Sequence, residues 1–142
     1  DAARDAIAHA DVPAYGDGRL APHEWLRTSD GRLLKTDCVG HDADHTLVGR
    51  QPVAWDVAGA MVEWGLDESS ARPLLDGFRA AGGRVAPLPA LSIYVAAYAA
   101  FRVGMCSMCA AMCGHDPAEQ ARLRTAEESY KGQLTAALST CT

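Results

Sequence analysis

A cluster of two histidines and an aspartate in the first third of the chain could bind a transition metal. His41, Asp44 and His45 read His-x-x-Asp-His. Two imidazoles four residues apart, with a carboxylate between them, can bind Zn²⁺ when they share a helix face. Glycines flank this segment and helical periodicity is absent. It is therefore interpreted as a polar loop, with a place along a substrate cleft as its predicted role and zinc binding as the alternative.

Three cysteines in the second half of the chain form a second candidate cluster. Cys106, Cys109 and Cys113 follow the spacing i, i+3, i+7, which places them on one face of a helix. Soft ligands of this kind suit Cu(I) or Zn²⁺. One helix face rarely supplies a closed four-ligand site, and small polarizable residues fill helix seams well. Core packing is the favoured interpretation, and a metal-binding helical protein is the alternative.

Two charged side chains nearer the N-terminus invite an interpretation from their surroundings. Asp56 lies among apolar residues of a predicted helix, where an unpaired carboxylate carries a large desolvation penalty. We therefore expect Asp56 to accept hydrogen bonds. Arg19 lies in a loop, and its planar guanidinium suits a phosphate or a carboxylate, although a plain surface role fits equally well.

The elements that must position these residues are mostly helices. The sequence predicts a short helix over residues 1–10 and one hairpin over about residues 24–37, turning at Ser29-Asp30-Gly31. Four more helices follow: from Pro52 to Gly65, after an Asp67 cap, from Pro87 to near Gly114, and after an Asp116 cap. The predicted fold class is mainly α, a helical bundle with one small hairpin.

The loop and hairpin resemble the catalytic segment of the aminoglycoside phosphotransferase and choline kinase type of kinase-like enzyme. The family loop reads His-Gly-Asp-Leu-His-Pro-Gly-Asn, then an apolar residue and Leu. The segment from Asp17 to Leu26 reads Asp-Gly-Arg-Leu-Ala-Pro-His-Glu-Trp-Leu, with Gly18, Leu20 and Pro22 in register. The segment from Gln51 to Ala58 resembles the Asp-Pro-x-x-Asp-Leu-Ala motif of the same family.

This resemblance implies a role for each matched residue. Glu24 takes the place of a metal-binding Asn, and Asp37 resembles the metal-binding Asp after the hairpin, with Asp56 bracing the loop. The implied cofactors are Mg²⁺ and ATP or GTP, and the implied activity is phosphoryl transfer to a small-molecule hydroxyl. The whole chain, residues 1–142, would be one C-terminal lobe, and no glycine-rich phosphate loop of an N-terminal nucleotide lobe occurs in it.

The sequence departs from the family pattern at the catalytic base. The gap-free register places Arg19 where the base Asp should be, and arginine cannot take up a proton at neutral pH. A two-residue shift aligns Tyr15-Gly16-Asp17 with His-Gly-Asp and offers Asp17 as the base, the alternative for Asp17 being a loop-stabilising acid. A kinase-like module that is inactive or repurposed is therefore the rival interpretation. Lys35, two positions before Asp37, is predicted to pair with a surface acid.

Composition and charge limit the classes of protein to which the chain can belong. The chain of 142 residues is 49% hydrophobic and 22% charged, with a net charge of −5 and no basic stripe, so we expect no nucleic-acid partner. Its longest weakly charged stretch, residues 85–113, carries Arg102 near the middle, which favours a buried core helix over a membrane span. The five cysteines fit a reducing, cytoplasmic setting better than a disulfide scaffold. The oligomeric state does not follow from these features.

Overall fold

The fold is mainly helical with one small hairpin, which confirms the predicted class. The computed structural model describes residues 13–37, 49–85 and 88–140. The predicted helix over residues 1–10 and the cluster of His41, Asp44 and His45 lie outside the described residues. In chain order the elements are β1 (Pro13–Ala14), a 3₁₀ turn (Pro22–Glu24), β2 (Trp25–Arg27), β3 (Leu33–Lys35), β4 (Gln51–Pro52), α1 (Val53–Glu63), α2 (Glu68–Ala80), α3 (Leu88–Met112) and α4 (Pro117–Thr140).

Helix starts follow the caps predicted from the sequence. The side chain of Asp67 accepts a hydrogen bond from the N–H of Ser70, 2.8 Å away, at the start of α2. This contact lowers the pKa of Asp67 to about 2, because the N–H groups and hydroxyls around it stabilise the charged carboxylate. Asp116 accepts from the N–H groups of Ala118 and Glu119 at the start of α4, where Pro117 is the first helical residue.

The hairpin pairs β2 with β3 in an antiparallel register that sets Trp25 opposite Lys35 and Leu26 opposite Leu34. Its turn closes through the N–H of Thr28, which donates to the carbonyl of Arg32 over 2.9 Å. Gly31 adopts a φ of 86°, a conformation that favours glycine. The Trp25–Lys35 pair is half-buried, whereas Leu26 and Leu34 are exposed. The hairpin therefore turns one face, carrying Lys35, towards the interior of its unit.

A second strand pair was not predicted from the sequence. The two-residue strands β1 and β4 are antiparallel, with Pro13 opposite Pro52 and Ala14 opposite Gln51. The guanidinium of Arg50 donates to the carbonyl of Pro13, adding a second connection at this place. Strands of two residues that contain proline have no alternating pattern, so sequence periodicity cannot reveal them.

The chain divides into two compact units, Asp1–Leu91 and Ser92–Thr142. In the first unit the fully buried side chains are small or branched and come mainly from the helices, for example Ala58, Ala71, Leu75 and Leu91. The first unit contains the loop, the hairpin and Asp56, and therefore all the described residues of the family resemblance. The organisation of residues 1–142 as a single lobe stays a prediction.

The second unit contains most of helix α3 and the whole of helix α4. The side-chain amide of Gln120 donates to the carbonyl of Ala110 over 2.9 Å. Arg102 donates to the hydroxyl of Tyr130 over 3.1 Å, and its guanidinium lies 5.1 Å from the centre of that ring. The buried carboxylate of Glu127 is paired on α4 with Arg124 and Lys131, each 2.9 Å away.

Helix α3 is long and apolar enough over Ala90–Met112 to cross a membrane, and no other helix among the described residues has this property. Length and composition do not separate a membrane span from the core helix of a soluble protein. Of its most apolar 18-residue window, 28% is buried within the chain. Ala99 and Ala110 are buried within the chain, while Ile93 and Met108 are exposed.

Candidate functional site

The loop that contains Asp17 is held in place by the carboxylate of Asp56. One carboxylate oxygen accepts a hydrogen bond from the N–H of Asp17 over 2.9 Å, and the other accepts from the N–H of Gly18 over 2.8 Å. Asp56 lies in the first turn of α1, where the helix dipole also favours a negative charge. Hydrogen bonds to a carboxylate are stronger than those between neutral groups, so this contact sets the position of the loop. The hydrogen bonds expected of Asp56 are present; the catalytic character of the loop stays a prediction.

Gly16 is required for this close approach of loop and carboxylate. A Cβ atom added at Gly16 would lie 2.5 Å from Oδ2 of Asp56.

We expect Gly16→Ala to lower the free energy of unfolding by about 1–3 kcal/mol, because the loop must move away from its acceptor. Urea-induced unfolding followed by tryptophan fluorescence measures this loss. Gly77→Ala on α2 is the matched control: an added Cβ there meets nothing within 4 Å, and we expect a gain of roughly 0.5–1 kcal/mol. Equal effects of the two substitutions would contradict the close contact.

The same loop is also contacted from the C-terminal end of α1. The indole N–H of Trp64 donates to the carbonyl of Leu20 over 2.8 Å. The Trp64 ring also meets the edge of the Trp25 ring, with 6.3 Å between their centres. Asp56 and Trp64 are eight residues apart, or about 12 Å along a helix. The loop from Asp17 to Leu20 is thus attached to one rigid helix at both of its ends.

The hairpin brings the ammonium of Lys35 between two carboxylates of the loop. Its Nζ lies 3.3 Å from Oδ2 of Asp17 and 3.0 Å from Oε2 of Glu24. The three side chains are largely shielded from solvent, with 11% of Lys35 and 14% of each acid exposed. Burial by itself would lower the pKa of Lys35. The contacts with Glu24 and then Asp17 outweigh burial, so the pKa of Lys35 lies above its ordinary value and the group is a cation at neutral pH.

The backbone around Glu24 is fixed by the far end of the hairpin. Thr36 donates to the carbonyl of Glu24 twice, once from its N–H and once from its hydroxyl, each over 2.9 Å. Lys35 also donates through Nζ to the backbone carbonyl of Asp37. Glu24 and the end of the hairpin are therefore adjacent.

The remaining predicted residues lie at the rim of this cluster. The N–H of Arg19 donates to Oδ1 of Asp17 over 3.1 Å, while its own side chain is exposed. Asp37 is also exposed, directly after the hairpin. The structure therefore brings Asp17, Glu24 and Lys35 together above Asp56, with Arg19 and Asp37 beside them in sequence.

Lys35 is the residue that sequence reasoning misjudged. The sequence predicts that it pairs with a surface acid, whereas it is half-buried and contacts two acids that are themselves largely shielded. A signal was present: in a hairpin that turns at Gly31, Lys35 falls opposite Trp25, beside Glu24. Trp64, whose indole fixes the loop carbonyl of Leu20, was also missed, because its polar atom has no sequence pattern.

No group of three or more His, Cys, Asp or Glu residues within residues 13–37, 49–85 and 88–140 could hold a metal ion. Cys106 is buried and Cys109 and Cys113 are half-buried, all as free thiols. Their role in core packing stays a prediction.

Comparison of the chain with family models, with curated proteins and with solved structures found no match in any of the three. The function must therefore be argued from the residues of the loop, the hairpin and α1.

Proposed function

We propose that this chain is the C-terminal lobe of a kinase-like phosphotransferase that moves a phosphoryl group from ATP or GTP to a hydroxyl of a small molecule. An N-terminal nucleotide lobe is its implied partner, with no nucleic-acid or membrane partner, and the implied setting is the cytoplasm. The observation that carries the proposal is the pair of hydrogen bonds from the N–H groups of Asp17 and Gly18 to the carboxylate of Asp56. A loop fixed to a helix in this way, followed by a hairpin that ends beside Glu24, has the layout of the family that the sequence resembles.

In this proposal the chain's own residues position the reactants. Asp17 accepts the proton of the acceptor hydroxyl. The oxygen of that hydroxyl forms a bond to the γ-phosphorus, and the bond between this phosphorus and the nucleoside diphosphate breaks. The fork of Arg19 is suited to a phosphate oxygen. Catalysis would thus come mainly from orientation and charge.

Magnesium is the cofactor that the resemblance implies, with Glu24 and Asp37 as ligands. The donor set does not fit this ion as it stands, because Oε2 of Glu24 is 3.0 Å from the ammonium of Lys35. Mg²⁺ needs oxygen ligands at about 2.0–2.1 Å in a near-octahedral shell, which a neighbouring ammonium prevents. Oε2 of Glu24 is therefore a contact of Lys35 and is not available to a metal ion in this arrangement.

A second candidate function is a kinase-like module that no longer transfers phosphate. Two observations favour it: the gap-free register places Arg19 at the base position, and Lys35 is paired with both Asp17 and Glu24. Such a module would bind a nucleotide, a phosphorylated molecule or a partner lobe without chemistry. The two candidates share the fixed loop and differ in whether a product forms.

Nucleotide titration of the longer protein, including any nucleotide lobe encoded before Asp1, tests the proposal. Calorimetry with ATP and Mg²⁺ should give saturable binding, and Asp37→Ala should weaken it by at least about tenfold if this carboxylate supports the nucleotide. Asp30→Ala is the matched control, since Asp30 is a turn carboxylate of the same hairpin paired with Arg32. Equal affinity of wild type and Asp37→Ala would refute the role of Asp37.

Product formation then separates the two candidates. Radiolabelled γ-phosphate should appear on one member of a panel of amino alcohols and aminoglycosides if the lobe belongs to a phosphotransferase. Nucleotide binding without transfer to any acceptor would favour the non-catalytic module, and absence of both would refute the phosphotransferase.

A further inference from the structure

We infer that Lys35 is the resident cation of this site: its ammonium takes the charge-balancing position between Asp17 and Glu24, so that the carboxylate pair binds no divalent metal ion while Lys35 is present. The inference concerns three side chains and does not depend on phosphoryl transfer. It assigns to Lys35 a role that decides which ions the site admits.

The two carboxylates are held in place by separate parts of the fold. The loop of Asp17 is fixed by the hydrogen bonds to Asp56, and the backbone of Glu24 is fixed by the two hydrogen bonds from Thr36. Both side chains are only 14% exposed. The two carboxylates therefore cannot move apart into solvent, and a cation between them is needed to offset the repulsion between their negative charges.

Lys35 supplies this cation. Three oxygen atoms surround its Nζ: Oδ2 of Asp17, Oε2 of Glu24 and the backbone carbonyl of Asp37. The contact with the Asp37 carbonyl also ties the ammonium to the end of the hairpin that carries it.

A metal ion and this ammonium exclude each other. Both would be centred on the same two carboxylate oxygens, and like charges repel strongly at such distances in a shielded site. Only a displacement of the side chain, or its removal, would open the pair to a metal.

Substitution of Lys35 by methionine tests this, with Mn²⁺ alone as the probe. The full chain is titrated with Mn²⁺ by electron paramagnetic resonance, without nucleotide, so that failure of phosphoryl transfer does not affect the result. We expect Lys35→Met to bind one Mn²⁺ at least about tenfold more tightly than wild type. Lys35→Arg keeps the charge and should not gain this site, and the double variants Lys35→Met/Asp17→Asn and Lys35→Met/Glu24→Gln should lose it.

Lys131→Met is the matched control. Lys131 also contacts two carboxylates, the buried Glu127 at 2.9 Å and the exposed Glu128 at 2.7 Å, but all three lie on one helix, Lys131 is itself exposed, and Arg124 still pairs with Glu127. Removing this lysine should not create a Mn²⁺ site. A folded Lys35→Met protein with wild-type Mn²⁺ affinity would overturn the inference.

Wild-type protein gives a second measurement that needs no folded variant. At equimolar Mn²⁺ the backbone amide signals of Asp17, Gly18 and Thr36 should keep their intensity in a nuclear magnetic resonance spectrum. Selective broadening of these signals would mean that a divalent ion binds beside Lys35, which would overturn the inference.

Discussion

Replacing Asp56 with alanine is expected to lower the free energy of unfolding of the first unit by about 2–4 kcal/mol. The substitution leaves the N–H groups of Asp17 and Gly18 without the acceptor that holds them at 2.9 and 2.8 Å. Each of these is a hydrogen bond to a charged group, worth about 1.5–3 kcal/mol, and the site is partly open to water, which reduces the sum. All three tryptophans of the chain, Trp25, Trp55 and Trp64, lie in this unit. Urea denaturation followed by tryptophan fluorescence therefore reports its unfolding directly.

Two further variants separate the loss of these hydrogen bonds from the loss of a negative charge. Asp56→Asn keeps one acceptor oxygen and should lose about half as much stability as alanine. Asp76→Ala removes an exposed carboxylate of α2 that is paired with Arg79 at 3.4 Å, and its effect should stay within about 0.5 kcal/mol. Similar losses for Asp56→Ala and Asp76→Ala would mean that the contact with the loop contributes nothing to stability.

Local signals were sufficient to predict most of the described elements. Asp67 and the pair Asp116-Pro117 mark helix starts because a side-chain oxygen beside the first turn satisfies N–H groups that the helix leaves without a partner. Ser29-Asp30-Gly31 marks the hairpin because its turn needs a left-handed glycine, which Gly31 provides. Such signals lie within a few residues of the structure that they specify.

Asp56 could be predicted for a different reason. A carboxylate on the apolar side of a helix must be paired, so the need for a partner follows from the sequence alone. Which partner it finds, 38 and 39 residues away, came only from the resemblance to kinase-like phosphotransferases. That resemblance, and the activity that it implies, stay predictions.

The position of Lys35 could not be predicted, because it depends on three parts of the chain at once. The hairpin register sets Lys35 beside Glu24, and the Asp56 contact sets the loop so that Asp17 completes the pair. Alternation along a strand predicts only the face on which a side chain lies. The pairing of β1 with β4 escaped prediction for the same reason, since it joins residues about 37 positions apart through two-residue strands.

Asp17→Asn is expected to reduce kcat by about 10²–10⁴-fold in the complete protein if the lobe transfers phosphate. Asparagine has nearly the same shape, and its carbonyl oxygen can still accept the N–H of Arg19, which Asp17 now accepts over 3.1 Å. It cannot accept the hydroxyl proton, so the loss should appear in kcat rather than in the affinity for nucleotide.

Arg19→Ala is the counterpart that decides between the two registers of the loop. The Arg19 side chain is exposed and bears a permanent positive charge, so its removal should raise KM for the nucleotide or for a phosphate-bearing acceptor by up to about tenfold, with little change in kcat. Steady-state kinetics of both variants, with urea denaturation as a check on the lost Asp17–Lys35 contact, measures this difference.

A wild-type kcat in Asp17→Asn together with a large loss of kcat in Arg19→Ala would contradict Asp17 as the base. The chemistry would then depend on a permanent cation at the position where the family has its aspartate, and the loop would have to stabilise charge on the phosphate instead of accepting a proton.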